Sequence, residues 1–225
     1  MPKTVVCDSS SLISLSQTCT ANVVEFLRKK TGVRFVAPPS VYAESVAKPS
    51  GITKFAASAL RIKRLFGQKS ISIDGADIAL DTQRILEAGN RLFSVGGRPL
   101  ELLHLGESEC LALAKKTPGA RLLVDEKTLR MLLEAPDKMQ AILQTEYRER
   151  LAADPARMRA WKSLCADIPL IRSTEVLSVA YEKGYYNDYG TDASAAWQAG
   201  LAALKNAGCS VTFKEMDEYR RLSNA

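Results

Sequence analysis

Histidine is nearly absent from this sequence, and its cysteines follow no metal-binding pattern. His104 is the only histidine, which excludes a histidine-rich zinc site and leaves little room for a Ser-His-Asp triad. The five cysteines form no CxxC pair, and an odd number without pattern is typical of free thiols in a reducing cytosol. Any chemistry must therefore depend on carboxylates, hydroxyls, cations or a bound metal.

Long apolar runs and phosphate-binding loops are also missing. No apolar run approaches the roughly 20 residues that a membrane span needs, and residues 1–8 lack the apolar stretch of a signal peptide. Neither a P-loop motif nor a GxGxxG motif occurs, which argues against P-loop and Rossmann nucleotide sites. We therefore expect a cytoplasmic protein with no membrane partner.

What the sequence does contain is an ordinary apolar fraction and an excess of basic residues. The 225 residues, 46% of them hydrophobic, allow one substantial core or at most two small ones. There are 31 lysines and arginines against 25 aspartates and glutamates, so the formal net charge is +6. This excess favours an anionic partner such as nucleic acid, but a soluble protein that is merely basic fits the number equally well.

Short apolar runs alternate with helical patterns along the chain. Four runs have the composition of buried parallel strands. They cover residues 4–7, 33–36, 121–124 and 169–172. The helices with the clearest patterns are predicted at 22–30, 107–116, 174–183, 192–207 and 212–222. This alternation predicts an α/β fold with a central parallel sheet that is covered by helices on both faces.

Two regions do not fit the simple alternation of strands and helices. Residues 51–104 are expected to be mainly helical. Residues 131–166 are expected to form a helical insertion, with two helices separated by Asp154-Pro155. Because no linker-like stretch occurs, we predict a single domain over 1–225 that carries this insertion.

Four acidic residues are predicted to meet at one edge of the sheet. Two strands end in aspartate, at Asp8 and Asp125, and ligands of parallel α/β sheets bind at the carboxyl ends of the strands. Glu44 lies in the helix after the second strand, and Glu107 starts the helix before the third. Unpaired carboxylates this close repel one another, whereas Mg²⁺ or Mn²⁺ takes oxygen ligands and activates water for phosphodiester hydrolysis. The pattern therefore predicts a metal site.

Each acid also has a purely structural interpretation. Asp8 and Asp125 can cap the helices that follow them, Glu44 can lie on a solvated helix face, and Glu107 can complement a helix dipole. Only the four together favour a metal site. Two other carboxylate-based folds fit less well. A phosphatase of the haloacid dehalogenase type has a second aspartate where Ser10 stands, and a receiver domain has a second acid beside the first.

Four segments resemble the motifs of PIN-domain nucleases of a toxin-like prokaryotic branch. Residues 8–15 read DSSSLISL and resemble the opening DSSxLIxL motif, and 39–44 read PSVYAE and resemble the second motif. Residues 105–114 read LGESECLALA and are similar to the LGExExxxLA stretch, while 122–126 read LLVDE and resemble the final strand. Two further regions resemble the C-terminal part of the family, at 168–185 and 201–219.

This resemblance implies a three-layer α/β/α fold and a ribonuclease that depends on Mg²⁺ or Mn²⁺. By the resemblance, catalysis and metal binding belong to Asp8, Glu44, Glu107 and Asp125. Many relatives have aspartate as the third acid, whereas here Glu107 takes that place and Glu109 competes for it. The candidates for supporting the acids are Ser9, Ser10, Glu109 and Thr174.

The resemblance leaves several biological roles open. The expected partner is RNA, in single-stranded form, and a toxin held by an antitoxin protein fits as well as an RNA-processing enzyme. A homo-oligomer is also compatible with it. The competing hypothesis is a catalytically silent module that binds RNA or a protein partner, although the presence of all four acids argues against it.

Basic residues are frequent between Glu44 and Asp74, where no acidic residue occurs. Such a stretch can bind RNA phosphates or can be a solvated helix face. Tyr42 and Phe66 are candidates for base stacking, although core packing is the stronger interpretation of Phe66. The candidate nucleic-acid contacts are Lys54, Arg61, Lys63, Arg64 and Lys127.

Overall fold

The computed structural model describes residues 3–75 and 77–222. Short strands alternate with helices along the chain. In chain order the elements are β1 (Thr4–Cys7), α1 (Ser9–Gln17), α2 (Asn22–Thr31), β2 (Arg34–Ala37), α3 (Pro39–Tyr42), a π-helical turn (Ala43–Ala47), α4 (Lys48–Ser50), α5 (Thr53–Gly67), β3 (Ile71–Ile73), α6 (Ala79–Gly89), β4 (Phe93–Val95), β5 (Arg98–Pro99), α7 (Leu105–Lys116), β6 (Arg121–Leu123), α8 (Lys127–Glu134), α9 (Pro136–Tyr147), β7 (Leu151–Ala153), α10 (Pro155–Leu164), β8 (Leu170–Ile171), α11 (Ser173–Glu182), a 3₁₀ turn (Asn187–Asp192), α12 (Ala193–Asn206) and α13 (Phe213–Leu222).

The central sheet has five parallel strands in the order β3-β2-β1-β6-β8. The strands of its middle are deeply buried, and Val6, Cys7, Leu122 and Leu123 have no exposed surface. Such burial is expected where helices cover both faces of a parallel sheet. Helix α7 packs against β1 and β6, and α2 packs against α11. The result is the three-layer α/β/α architecture that the sequence predicts, with β1 as the middle strand.

Three short strands form a second sheet, which is antiparallel and has the order β5-β4-β7. Strands β4 and β5 are joined by a hairpin at Gly96 and Gly97, whose φ angles of 55° and 79° suit glycine. The expectation that 51–104 is mainly helical is therefore wrong in part, because this range also contains β3, β4 and β5. Strands of two or three residues are too short for an alternating pattern to be recognised.

The segment 131–166 also differs from the predicted pair of helices. It contains the end of α8 and all of α9 and α10, and strand β7 lies between α9 and α10. Trp161 in α10 is only 1% exposed, and its indole N–H donates to the backbone carbonyl of Leu132 at 2.8 Å. A buried tryptophan needs both apolar neighbours and a hydrogen-bond acceptor. The segment supplies these from within the core it shares with the central sheet.

The remaining predicted elements lie close to their predicted positions. The helices near 22–30, 107–116, 174–183, 192–207 and 212–222 and the four predicted strands all begin and end within two residues of the prediction. The apolar positions that made these patterns recognisable include buried residues such as Val23, Leu111 and Leu177 in the helices and Val6 and Leu122 in the strands. No helix in 3–75 or 77–222 is both long and apolar enough to cross a membrane.

Candidate active site

Asp8 and Asp125 lie on neighbouring strands at the carboxyl edge of the central sheet. Asp8 directly follows β1, and Asp125 comes two residues after β6, which pairs with β1 in parallel. The backbone N–H of Asp8 donates to the carbonyl of Leu123 at 2.9 Å, which fixes the register of the two strand ends. Both aspartates are buried, with 2% and 1% of their surface exposed. The fold therefore places two buried carboxylates where parallel sheets bind ligands.

The serines that open α1 hold these strand ends together. Ser10 donates to Oδ2 of Asp8 from its backbone N–H at 3.0 Å and from its hydroxyl at 2.6 Å. The same hydroxyl accepts from the backbone N–H of Asp125 at 3.2 Å. Ser11 donates to the carbonyls of Asp8 and Leu123, at 2.8 and 3.1 Å. Asp8 is thus the N-cap of α1, as its structural interpretation predicts, and Ser10 links it to the second strand.

Glu44 is carried by a helix that is locally widened into a π turn. In this turn the backbone N–H of Lys48 donates to the carbonyl of Ala43, five residues earlier. Pro49, which lacks an N–H and whose ring crowds the carbonyl four residues before it, gives a physical reason for this widening. Single π turns within α-helices are frequent at functional sites. The hydroxyl of Ser9 donates to Oε2 of Glu44 at 3.1 Å, so Glu44 reaches the start of α1.

The carboxylate of Glu44 also lies against the first turn of α7. A Cβ atom built at Gly106 would stand 2.8 Å from Oε2 and 2.9 Å from Oε1 of Glu44, which is closer than any side chain allows. Only glycine leaves room for the carboxylate at this position. Glu107 is the next residue of α7, so Glu44 and Glu107 both lie at the N-terminal end of this helix.

Glu107 lies in a buried and negatively charged environment at the same edge. One of its oxygens accepts from the backbone N–H of His104 at 2.8 Å, as in a capping box. Burial, together with the negative charges of Asp8, Glu126 and Glu44, raises the pKa of Glu107 to about 8 despite that hydrogen bond. Burial likewise raises the pKa of Asp8, and the charge of Glu44 adds to the effect. Glu126 was not among the predicted acids, although it directly follows Asp125.

Glu109 has a different position from Glu107. One of its oxygens accepts from both the backbone N–H and the hydroxyl of Ser40, in the first turn of α3. Residues two apart on a helix point in different directions, so this contact turns Glu109 away from the direction of Glu107. Glu109 therefore accepts hydrogen bonds from the first turn of the helix that carries Glu44.

Asp125 has one fully occupied oxygen and one that has no partner. Its Oδ1 accepts from the backbone N–H of Ser173 at 2.8 Å and from the thiol of Cys209 at 3.2 Å. Its Oδ2 is buried, and no hydrogen-bond partner for it lies among the described residues. Cys209 was not predicted, because no local pattern connects it with a residue 84 positions away. A buried carboxylate oxygen without a partner is costly unless a cation or a donor reaches it.

These observations test whether the acids suit a divalent ion. Within the described residues, no three His, Cys, Asp or Glu side chains stand close enough together to hold an ion as they are placed. The donor set nevertheless fits a hard cation, because it consists of carboxylates and hydroxyls. The pKa values of Asp8 and Glu107 are raised, and Oδ2 of Asp125 has no partner among the described residues, so a cation at this edge would stabilise the ionised carboxylates. The residues therefore fit a hard divalent cation in chemistry, although the side chains would have to draw together to hold it.

A family model described as PIN domain matches residues 4–137. The chain belongs to the PIN domain family. PIN domains are in general nucleases, and their activity is generally metal-dependent. No curated protein and no solved structure matches the chain.

The part of this PIN domain that matches the family model contains all four candidate acids. It ends before β8 and before the two groups that hold Oδ1 of Asp125, the backbone N–H of Ser173 and the thiol of Cys209. Strand β8, which pairs with β6, also lies outside the matched range. The C-terminal third of the chain thus completes the central sheet and the surroundings of Asp125.

Thr174, a predicted supporting residue, lies close to the site but contacts other groups. It is fully buried, and its hydroxyl is 3.5 Å from the hydroxyl of Tyr219. Tyr219 donates to Glu175 at 2.9 Å, and Glu175 pairs with Arg172 at 2.7 Å. These contacts tie α13 to the N-terminus of α11. Thr174 thus contacts α13, and it also hydrogen-bonds to Cys209, whose thiol donates to Asp125. Its role as a supporting residue of the site stays a prediction.

The predicted nucleic-acid contacts occupy different environments. Lys54, Arg61, Lys63 and Arg64 are all exposed on α5. Arg61 also donates to the carbonyl of Ser16 at 3.1 Å, so part of its role is to cap α1. Lys127 is exposed and lies 3.7 Å from Glu146. Arg61 contacts the end of α1 that lies opposite Asp8, so it stands apart from the candidate acids.

The aromatic residues predicted to stack on bases pack against each other instead. The rings of Tyr42 and Phe66 meet edge to face, with centroids 5.0 Å apart and an interplanar angle of 85°. Phe55 is 40% exposed. It lies in the first turn of α5, before the buried stripe of Ala59, Ile62 and Leu65 begins.

Proposed function

We propose that this PIN domain is a nuclease that depends on Mg²⁺ or Mn²⁺ and hydrolyses phosphodiester bonds in single-stranded RNA. The observation that carries the proposal is the buried, unpartnered Oδ2 of Asp125 at the same sheet edge as the buried carboxylate of Asp8. Hydrogen bonds reach part of both carboxylates, but no cation among the described residues forms an ion pair with either of them. A divalent cation compensates their charge, and it brings hydrolytic chemistry with it.

Four carboxylates would hold the ion, namely Asp8, Glu44, Glu107 and Asp125. When bound, the ion supplies the positive charge that activates a water molecule and stabilises the leaving oxygen. Serine hydroxyls from the start of α1 orient two of the acids, since Ser10 fixes Asp8 and Ser9 fixes Glu44. Such supporting contacts tune ligands and are costly to remove.

Glu107 gives the proposed site a proton to release. With a pKa of about 8 it is largely protonated at neutral pH in the metal-free protein. Ligand carboxylates must be deprotonated, so ion binding displaces that proton. The release of protons on addition of Mn²⁺ is therefore an expected accompaniment of binding, and it distinguishes a ligand from a carboxylate that merely caps α7.

Single-stranded RNA is the proposed substrate because the surface beside the acids is basic and partly apolar. Lys48 lies one turn after Glu44, and Lys54 lies at the start of α5, so both can neutralise phosphates. The exposed side chains of Ile52 and Phe55, at the start of α5, suit unstacked bases, which a duplex does not offer. Toxin and RNA-processing roles share this chemistry, and an antitoxin or a second copy of the chain would be additional partners.

Cleavage of a labelled pool of single-stranded RNA tests the proposal. The intact protein should cleave the pool in Mn²⁺ or Mg²⁺ and not in EDTA. Asp8→Asn should lower the rate by at least about 100-fold, since loss of several kcal/mol of charge stabilisation corresponds to that factor. Glu87→Gln is a matched control, because Glu87 is an exposed acid on α6 that pairs with Arg91.

The assay also separates the enzyme from the silent module. Cleavage that is unaffected by EDTA, or that Asp8→Asn and Glu87→Gln leave equally intact, would contradict the proposed site. If the protein binds RNA but never cleaves it in either ion, the chain is a silent RNA-binding module.

A further inference from the structure

A mostly apolar groove lies between α1, the helix of Glu44 and the beginning of α5. Its volume is about 200 Å³. The residues that line it include Ile13, Gln17, Ser45, Pro49, Phe55 and Ser58. Three elements thus contribute to one concave surface. The sequence of any one of these elements does not by itself indicate a groove.

The groove begins one helical turn from the candidate active site. Ile13 is four residues after Ser9 on α1, and residues four apart share a helix face. Ser9 is the residue whose hydroxyl contacts Glu44. On the opposite wall, Ser45 directly follows Glu44 in the π turn. Two walls of the groove are therefore formed by the same elements that carry Ser9 and Glu44.

Phe55 gives the groove an exposed aromatic ring. It is 40% exposed, and the neighbouring Ile52 is 51% exposed. Exposed apolar side chains that cluster at a concave surface mark binding sites more often than isolated ones do. The ammonium of Lys54 lies 5.4 Å from the centre of the Phe55 ring, so a positive charge stands beside the aromatic surface.

The polar groups of the groove suit a base rather than a purely apolar ligand. The hydroxyl of Ser58 is buried and has no hydrogen-bond partner in the part of the chain that the structure describes. Gln17 offers an exposed amide with both a donor and an acceptor. Lys48 and Lys54 directly precede the lining residues Pro49 and Phe55, and no acid occurs between Glu44 and Asp74. This charge complements an anionic ligand.

We propose that the groove binds one nucleobase of single-stranded RNA, stacked on Phe55, next to the bond that is cleaved. The inference rests on the proposed function and assigns it a substrate contact. Stacking on aromatic rings is the common way in which proteins hold unpaired bases, and it tolerates every base. Lys48 and Lys54 neutralise the flanking phosphates, while Gln17 and Ser58 supply hydrogen bonds to the edge of the base.

Binding of a fluorescent single-stranded RNA oligonucleotide tests the subsite. The measurement uses the full chain with Asp8→Asn and Mg²⁺, so that cleavage does not interfere. Adding Phe55→Ala should weaken binding by about 5- to 150-fold, the range known for loss of one stacked base. Phe55→Trp should restore it. The matched control is Phe213→Ala, since Phe213 is also exposed and has Lys205 at 4.4 Å from its ring.

Salt dependence and an abasic substrate separate stacking from charge. Phe55→Ala should leave the slope of log K against log salt unchanged, whereas Lys54→Ala should reduce it by about 0.7. A fully abasic oligonucleotide should bind the Phe55→Ala protein and its parent equally well. Unchanged affinity on Phe55→Ala, or an equal loss on Phe213→Ala, would overturn the subsite.

Two further outcomes distinguish this inference from the proposed function. If RNA binding depends on Phe55 but no ion supports cleavage, the subsite stands and the nuclease does not. If cleavage requires metal but neither its rate nor KM responds to Phe55→Ala, the nuclease stands and the subsite is wrong. Sedimentation velocity completes the test, because a dimer that Phe55→Ala dissociates, with RNA affinity unchanged, makes the groove an interface between copies and overturns the proposal.

Discussion

The thiol of Cys209 donates to Oδ1 of Asp125 at 3.2 Å, across 84 positions of the chain. Together with the backbone N–H of Ser173, it occupies that oxygen completely and holds the carboxylate in one orientation. Burial raises the pKa of Cys209 to about 12, and the charge of Asp125 adds to this effect, so the thiol keeps its proton. Oδ2 is thereby left as the free oxygen. Cys209 is thus a positioning residue for Asp125.

Replacement of Cys209 should weaken the proposed metal site according to the donor that remains. Cys209→Ala removes the donor and should lower Mn²⁺ affinity by about 10- to 100-fold, as loss of a contact to a metal ligand does. Cys209→Ser keeps an O–H donor and should recover most of the affinity. Calorimetric titration with Mn²⁺ measures both. Cys165→Ala is the control, because Cys165 is buried in another region. Equal losses in the alanine and serine variants would contradict a positioning role.

Gly106→Ala should reduce activity while leaving the fold intact. The added Cβ meets only the carboxylate of Glu44, the end of a flexible side chain, so Glu44 moves away and the backbone stays in place. The helix itself favours alanine over glycine by about 1 kcal/mol. We expect an unchanged or higher melting temperature together with a lower rate of RNA cleavage.

Gly67→Ala is the matched control for this change, since Gly67 ends α5 and a Cβ there meets no atom within 4 Å. The control should keep full activity. If Gly106→Ala is as active as Gly67→Ala, Glu44 is not required where the structure places it.

The stability of the metal-free protein should depend on pH through Glu107. Burial raises its pKa from the ordinary 4.5 to about 8, so the folded state favours the protonated carboxyl. The resulting stability is complete below the unfolded pKa and is lost as the pH rises through the folded pKa. We therefore expect the melting temperature in EDTA to fall between about pH 4.5 and pH 8. Glu107→Gln should flatten this decline, whereas a decline of unchanged slope in that variant would assign it to other groups.

We propose that the helical segment 131–166 is an integral part of a single domain, and Trp161 allows a test. Trp161→Ala should lower the free energy of unfolding by about 3–5 kcal/mol, because it leaves a large cavity and an unpaired carbonyl at Leu132. Unfolding should remain a single transition by calorimetry. Leu80→Ala, at a position 62% exposed, should have little effect. Two separate transitions would show that the segment folds independently.

The larger elements of the fold could be predicted because each carries its own local signal. The apolar run at 4–7 ends at a capping aspartate followed by serines, and the observed β1 and α1 meet there. Strands β4 and β7 could not be predicted, because they have three residues each and their pairing joins Phe93 with Ala153. A short stretch of sequence gives no indication of a strand partner that lies so far away in the chain.

The candidate acids could be selected from strand ends and motifs, and their function as metal ligands stays a prediction. The contacts that orient them were harder to foresee. Ser9 and Ser10 follow Asp8 directly and were selected, whereas the contacts of Gly106 with Glu44 and of Cys209 with Asp125 arise only from tertiary packing. Glu109 and Thr174 carried motif signals. Glu109 contacts Ser40, and Thr174 contacts Tyr219 and Cys209, the residue that orients Asp125.

The most direct measurement of the central claim is the melting temperature of the metal-free protein with and without saturating Mn²⁺. An ion that binds only the folded state at 100 times its Kd adds about 2.7 kcal/mol. For a chain of this length that corresponds to a rise of roughly 5–10 °C. The rise should disappear in Asp125→Asn, which replaces the unpartnered Oδ2, and persist in Glu87→Gln. If the unaltered protein melts at the same temperature in Mn²⁺ and in EDTA, the carboxylates at the edge of the sheet do not form a metal site.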